Sequence, residues 1–296
     1  MGLRIRTNVQ SLTAQRNLSG TNKAAGESMN KLSSGYRINK SADDAAGLAI
    51  SEKMKAGIVS EKQAKRNAND GVSMLQVAEG AMNEVSNILV RMRELTVQSA
   101  SDTVSNVERE FTNREYTQLT EEIDRISNVT DFSGVNLLKG QDGNEGIDSE
   151  NLTIHVGKGA NVGPEANADT IDINIDAMKM DSETLGLSGS AIGPEEPGGS
   201  YSRENSAEQL VKLDDALNNV ASQRATIGAK QNRLQSTMRN LDVSIENQSA
   251  AKSRIKDVDY ASESATYAQQ NILKQGGASI LAQSNSLPEL ALGLLR

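Results

Sequence analysis

His155 is the only histidine in the chain, and there is no cysteine, so any nucleophilic, acid–base or metal chemistry has few side chains to start from. His155 alternates with Ile154 and Val156, which puts it on the polar face of a strand, with none of the partners that a catalytic triad or a histidine zinc site requires. Asp172, Asn174 and Asp176, with Glu183 further on, resemble the start of a calcium loop. Position six of that loop would be Ala177, however, where a sharp turn demands Gly, and the flanks read as strand; alternation explains these acids more simply. The acidic pairs Glu121-Glu122, Asp214-Asp215 and Glu195-Glu196 suit helix surfaces and loops and do not form a glycosidase-type pair. No phosphate-binding glycine motif and no HExxH occurs. The expectation is a protein that is not an enzyme, with no catalytic, cofactor-binding or metal-binding residue and no cofactor.

The elements themselves are more informative. Aromatics make up 2% of the 296 residues, with no Trp and only Phe111 and Phe132 as phenylalanines. Packed long helices can build a core from Leu, Ile, Met, Val and Ala alone, whereas a compact globule usually uses aromatics. In alternating steps of three and four, Leu210, Leu213, Leu217, Val220, Arg224, Ile227, Gln231, Leu234, Met238, Leu241, Ile245, Gln248, Lys252 and Ile255 form one seam. Ten of these fourteen positions are apolar, a coiled-coil pattern sustained beyond the three or four heptads that identify one. Arg224, Gln231, Gln248 and Lys252 interrupt it and set register or partner.

The first half carries the matching stripe. Ser41 with Asp44 three residues later reads as a helix start close to a capping box. Ile50, Met54, Ile58, Ala64, Ala68, Leu75, Ala78, Met82, Val85, Leu89, Met92 and Leu95 follow on one face. Gly57, Gly71 and Gly80 each weaken that helix by roughly 1 kcal/mol, so packing must hold it. A shorter helix runs from about Val107 to Val129, anchored by Phe111, Leu119, Ile123 and Ile126. Leu152, Ile154 and Val156, then Ile171, Ile173 and Ile175, alternate with polar residues on either side of a turn at Gly157–Gly163. This period of two predicts a β-hairpin with one buried face. Residues 188–200 form a turn-rich link to the long helix.

Residues 1–32 and 261–296 are weakly amphipathic and rich in Ala, Ser, Asn and Gln, so as isolated helices they are marginal and need a partner. Residues 1–40 carry seven Lys/Arg against one Glu, while 141–200 carry two Lys against twelve acids. The basic charges are scattered and Tyr36 is their only aromatic neighbour, which argues against nucleic-acid binding. No run approaches 18 apolar residues, so no membrane span is expected. The first ten residues hold Arg4 and Arg6 but no apolar stretch of the Sec type.

Lys31-Leu-Ser-Ser-Gly-Tyr-Arg-Ile-Asn39, continuing through Ser41-Ala-Asp-Asp-Ala-Ala-Gly-Leu-Ala-Ile50, closely resembles the amino-terminal signature of bacterial flagellins. So do Asn8, Leu12, Asn17, Arg91-Met-Arg-Glu-Leu-Thr-Val-Gln-Ser99, Glu122-Ile-Asp-Arg125, Phe132-Ser-Gly-Val-Asn136, Ala278-Ser-Ile-Leu-Ala-Gln283 and Leu294-Leu-Arg296. The likeness spans nearly the whole chain apart from about residues 140–200. It implies a mainly α fold: a long antiparallel coiled-coil helical bundle with a small β-hairpin region, and terminal helices pairing into an inner coiled coil. Residues 1–40 with 258–296 would be that inner domain, disordered in the monomer. Residues 41–257 would be the rod, with its β region around 130–190 and no large inserted outer domain.

The resemblance further implies a secreted structural subunit that is exported unfolded through the flagellar channel and polymerises at the tip into the extracellular filament used for motility. Cysteine-free chains suit such a route. Its partners would be copies of itself, the filament cap and hook–filament junction proteins, an export chaperone and the flagellar export apparatus. The polymerisation residues expected at the ends are Ile5, Val9, Leu12, Leu18, Leu273, Ile280, Leu281, Leu287, Leu290, Leu294 and Leu295. Flagellins of the matching type are also bound by a vertebrate Toll-like receptor through the rod, and the matching positions are Arg91, Leu95 and Glu115. The alternatives are a hook–filament junction protein, which shares the terminal pattern, and a secreted coiled-coil effector or adhesin, which would not explain both termini.

Overall fold

A computed structural model describes residues 8–140, 151–159, 169–193 and 203–293, as backbone only at 203–204 and from 287 onward. The elements run α1 (Val9–Ser34), α2 (Ala45–Ser99), α3 (Asn106–Val129), β1 (Asp131–Phe132), β2 (Val135–Asn136), β3 (Asn151–His155), β4 (Thr170–Asn174), α4 (Arg203–Lys256) and α5 (Tyr260–Gly293). The chain divides into two compact units, Val59–Ile245 and Met1–Ile58 with Glu246–Arg296. The division falls within α2 and α4.

In the Val59–Ile245 unit, α2 and α4 run antiparallel, as the pairings Arg93–Asp214 (2.8 Å), Gln231–Glu79 (3.0 Å) and Lys65–Asp242 (2.6 Å) require. The stripe from Ala64 to Leu95 supplies one wall of the core, and Leu213, Val220, Ile227 and Leu234 of α4, seven residues apart, supply another. Leu217 and Met238 pack half-buried against the same core. Leu210, Leu241 and Ile245 are also half-buried. Gln231 enters the seam by donating to Glu79, so this polar interruption is a cross-helix contact.

The helix α3 starts on a capping box, with Ser105 and Glu108 each accepting from the other's backbone N–H. Its corner with α2 is closed by the buried cation Arg109, which donates to the carbonyls of Ser99 and Ser101 at 2.9 Å and to Asn106 Oδ1 at 3.2 Å. Ile123 is buried, and Leu119 and Ile126 are half-buried against the core. Phe111 is not an anchor: it is 60% exposed, its ring beneath the Arg114 guanidinium at 5.9 Å. The aromatic that fills the core is Tyr116, five residues on. A side chain's position on the turn, and not its size, decides which one faces inward.

The expected hairpin forms, with β3 and β4 antiparallel and Ile154 opposite Ile171. Ile171, Ile173 and Ile175 are buried with Ile154 and Val156. Gly71 lets the hairpin lie directly on α2, since a Cβ there would stand 2.3 Å from Ile154 Cδ1. Two donors tether it, Asn67 Nδ2 to the His155 carbonyl (3.0 Å) and Lys230 Nζ to the Asp172 carbonyl (2.8 Å). The turn expected at Gly157–Gly163 and the link over 188–200 fall partly outside the described residues.

In the other unit, α2 begins three residues later than Ser41 implied. Asp44 is the cap, its Oδ1 accepting from Gly47 N at 2.8 Å, while Ser41 lies in the preceding turn. Ile50, the first residue of the expected stripe, is exposed, and Ser51 beside it is buried. Met54 and Ile255 are half-buried, and Lys256 pairs with Glu52 at 2.9 Å.

Candidate functional site

His155 sits at the end of β3 opposite Thr170. Asp172 Oδ1 accepts from Thr153 Oγ1 at 3.1 Å, and Asn174 Oδ1 caps a turn by accepting from Ala177 N at 2.7 Å. Asp172 and Asn174, two of the would-be calcium ligands, are thus engaged within the hairpin and the turn after it. Asp214 is drawn into its pair with Arg93, whose hydrogen bond holds that carboxyl below the usual range. Glu122 is lowered likewise by the hydrogen bond from Arg125. Glu195 and Glu196 lie outside the described residues. Among the described residues no group of three or more His, Cys, Asp or Glu could hold a metal ion, and no helix is long and apolar enough to cross a membrane.

What stands out is the pairing of the two ends. Asn8 caps α1, its Oδ1 accepting from Ser11 N at 3.1 Å, and Gly35, at φ +73°, ends it in the left-handed conformation that glycine adopts without strain. The chain then meets the junction of α4 and α5. Tyr36 bridges Asp257, Arg37 N donates to the Lys256 carbonyl at 2.7 Å, and Val258 N donates to the Gly35 carbonyl at 3.0 Å. Tyr260 Oη donates to the Leu32 carbonyl at 2.7 Å, and Lys256 Nζ stands 5.1 Å over the Tyr36 ring. Asp43 Oδ2 accepts from Asn39 N and Lys40 N, and these backbone hydrogen bonds hold its carboxyl below the usual range.

From this closed end α1 and α5 run antiparallel, with Lys31 near Glu263, Leu18 over Gly277, and Asn8 at Ser284. The less exposed positions of α1 are Ser11, Ala14, Leu18, Thr21, Ala24, Ala25, Ser28, Lys31 and Leu32; those of α5 include Tyr267, Gln270, Gly277, Leu281 and Ser284. The α1 set repeats in threes and fours and the α5 set keeps the same period with one step of seven between Gln270 and Gly277, the signature of a two-helix seam. Its residues are mostly small or polar, which lets the backbones come close: the Cα traces of α1 and α5 approach within 8 Å over an extended stretch.

Most of the large apolar side chains lie elsewhere. Ile272 is 70% exposed and Val9 61%, and Leu12, Met29, Leu273 and Ile280 are likewise open. Of the expected polymerisation residues, Leu18 and Leu281 are therefore in the seam, while Val9, Leu12, Leu273 and Ile280 are on outer faces. Ile5 lies outside the described residues, as do the side chains of Leu287, Leu290, Leu294 and Leu295. A solvent-facing helix normally carries charge on its outer face. Between residues 260 and 293 only Glu263, Lys274 and Glu289 are charged. Exposed apolar residues without a charged surround mark a surface meant to be covered.

The receptor-matched positions divide differently. Arg91 donates to Glu115 Oε1 through Nε (2.9 Å) and Nη2 (2.8 Å), and to Glu94 at 3.0 Å, on an open surface between α2 and α3. The hydrogen bond to Glu115 holds the guanidinium still more firmly protonated. Leu95 is 2% exposed, inside the core.

Known proteins resemble this chain along its length. The bacterial flagellin N-terminal helical region matches residues 5–142, and the bacterial flagellin C-terminal helical region matches 210–295. Flagellin of Bacillus subtilis (strain 168) is 39% identical over 320 residues, covering 99% of this chain and 100% of that protein. The flagellar filament 33 kDa core protein of Treponema phagedenis is 38% identical, covering 99% of each. A putative flagellar hook-associated protein from Vibrio parahaemolyticus has a structure similar at a TM-score of 0.58 and 17% identity, covering 73% of this chain and 100% of that one, a likeness of fold alone.

Proposed function

The chain belongs to the bacterial flagellin family and is a structural subunit of the flagellar filament, and from that premise we propose that it polymerises through the paired helices α1 and α5. The observation that carries this is the inversion of the pair. Mostly small or polar residues, with Leu18 and Leu281, line the seam within one chain, and Val9, Leu12, Ile272, Leu273 and Ile280 face outward, open to other copies. Stacked around an axis, each copy covers its neighbour's apolar face, and the contact repeats without closing. At about 25 cal/mol per Å², each buried side chain of this size contributes roughly 1.5–3 kcal/mol, so a handful per subunit suffices to drive assembly.

In this reading residues 1–40 with 258–296 form the inner domain, unfolded until a neighbour covers it, and 41–257 form the rod that makes the filament surface. The subunit is secreted through the flagellar export apparatus with a chaperone, joins the filament between the junction proteins and the cap, and has no catalytic role. The open Arg91–Glu115 pair is the feature a Toll-like receptor would read on the monomer; Leu95 would act by packing beneath it. Identity of 38–39% over whole flagellin and filament core chains favours the filament over the junction reading.

Deleting residues 277–296 tests the scheme. The deletion removes Gly277, Leu281 and Ser284 from the seam and Ile280 from the outer face. The circular dichroism and thermal transition of the rod should be largely unchanged, and sedimentation and negative-stain microscopy should find no filaments. Long filaments from the truncated chain at the usual concentration would overturn it.

A further inference from the structure

Proline has no backbone N–H, so a proline inside an α-helix leaves the carbonyl four residues earlier without its ladder donor. Pro288 lies within α5, and the carbonyl it strands is that of Ser284. That carbonyl has a donor from the opposite end of the chain: Asn8 Nδ2 reaches it at 2.7 Å. The same amide caps α1 through its Oδ1, so one side chain completes two helices at once. Beside it Ser11 Oγ donates to Asn285 Oδ1 at 2.6 Å. Ser284 is buried, so water is a poor substitute donor there.

The rest of the seam marks register weakly. Apart from Leu18, Leu32, Tyr267 and Leu281, its residues are mostly small or polar. At Gly277 an added Cβ would lie 3.4 Å from Leu18 Cδ1 and 3.9 Å from Leu18 Cβ, ordinary contact that does not exclude a neighbour. The closed end is held by Tyr260 and Lys31, but α1 extends about 39 Å from it at 1.5 Å per residue. In coiled coils, a polar contact at a seam position selects one alignment among near-equivalent ones.

We propose that Asn8, together with the Ser284 carbonyl that Pro288 leaves open, is the register determinant of the terminal helix pair. It aligns α1 against α5 at their open end and so aligns the two outer apolar faces that a neighbouring copy must cover. This rests on the reading of α1 and α5 as the assembly surface.

Because the chain has no cysteine, a designed pair is an unambiguous ruler. The 3.9 Å between Leu18 Cβ and an ideal Cβ at 277 falls in the range a disulfide spans. Filaments of Leu18→Cys/Gly277→Cys, oxidised with glutathione disulfide, should form an intrachain cross-link, seen as a mobility shift on a non-reducing gel. Adding Asn8→Asp keeps an acceptor for the α1 cap but removes the donor. Adding Pro288→Ala instead restores the N–H at 288, which then competes for the Ser284 carbonyl.

Each change should slow cross-linking about fivefold, the factor that follows from losing one intramolecular hydrogen bond. The two together should do no more than either alone, because they remove the same interaction. Pro288→Ala is the sharper arm, since it improves helix propensity; a merely structural role predicts faster or unchanged cross-linking. A variant that fails to polymerise while its soluble form keeps the parent's circular dichroism and melting shows the predicted loss in its strongest form. Unchanged cross-linking rates in both variants would overturn the proposal. If the parent filaments give no intrachain cross-link, or only linked dimers, the pairing of α1 with α5 within one chain is what fails instead.

Discussion

At the scale of single residues, exposure separates side chains that hold the fold from those free to do something else. Arg91 and Leu95 are four residues apart on α2, yet one reaches across to Glu115 in solvent and the other is sealed in the core. Exposed ion pairs contribute little to stability because water and salt screen them. Arg91→Ala should therefore leave the thermal transition of the monomer essentially unchanged while lowering activation of a Toll-like receptor reporter by soluble protein. Undiminished signalling from a folded variant would remove this surface from consideration. Leu95→Ala cannot make the same test, since a buried Leu-to-Ala change costs about 2–5 kcal/mol and would confound recognition with unfolding.

Elements meet where a glycine permits it. Gly71 in α2 lies under Ile154 of β3, and a methyl group there would overlap Ile154 Cδ1. Gly71→Ala should destabilise the Val59–Ile245 unit by about 1–3 kcal/mol, a typical overpacking cost, although Ala is the better helix former. Ile154→Val removes the offending methyl. In that background Gly71→Ala should become neutral or stabilising, and chemical denaturation of the four chains of the cycle measures the difference. Much of this level was legible beforehand: Leu213, Val220, Ile227 and Leu234 announce α4 by spacing, and Ile171 and Ile173 announce β4 by alternation. The start of α2 was not, because Ser41, Asp43 and Asp44 are all good caps and only the turn decides among them. Nor was the core aromatic of α3, where Phe111 and Tyr116 both fit a helical stripe. The terminal seam was hidden for a different reason. Many of its residues are small, so a search for large anchors finds Leu18 and Leu281 in it but also selects Val9, Leu12, Leu273 and Ile280, which face away from it, and Asn8 and Ser284 are joined by nothing local.

The whole molecule divides its apolar residues between two purposes. The Val59–Ile245 unit gathers a large buried core, from Leu75 to Leu234, whereas the terminal pair leaves Val9, Leu12, Ile272, Leu273 and Ile280 open. Ile272→Asp, at a position 70% exposed, should leave folding of the soluble chain untouched, as surface changes usually do. It should nevertheless raise the concentration needed for filaments sharply or abolish them, because a charge would be buried at every repeat of the contact. Sedimentation across a concentration series, set beside the melting curve of the same preparation, checks both halves. Normal polymerisation would place Ile272 outside the assembly contact.

The contact between Asn8 and Ser284 joins residues 276 apart in sequence. The entropic cost of closing a loop grows only slowly with its length, so the distance itself is tolerable. Its consequence is one of timing. Neither terminal helix can find its partner until nearly every intervening residue is present, so this pair is the last part of the subunit that can close. A chain interrupted between the end of α4 at Lys256 and Ser284 would still hold both walls of its core but would lack the carbonyl that aligns α1. On the proposed assembly through α1 and α5, completeness would thereby be checked at the point of incorporation, since a growing polymer would accept a subunit only when both of its ends had arrived.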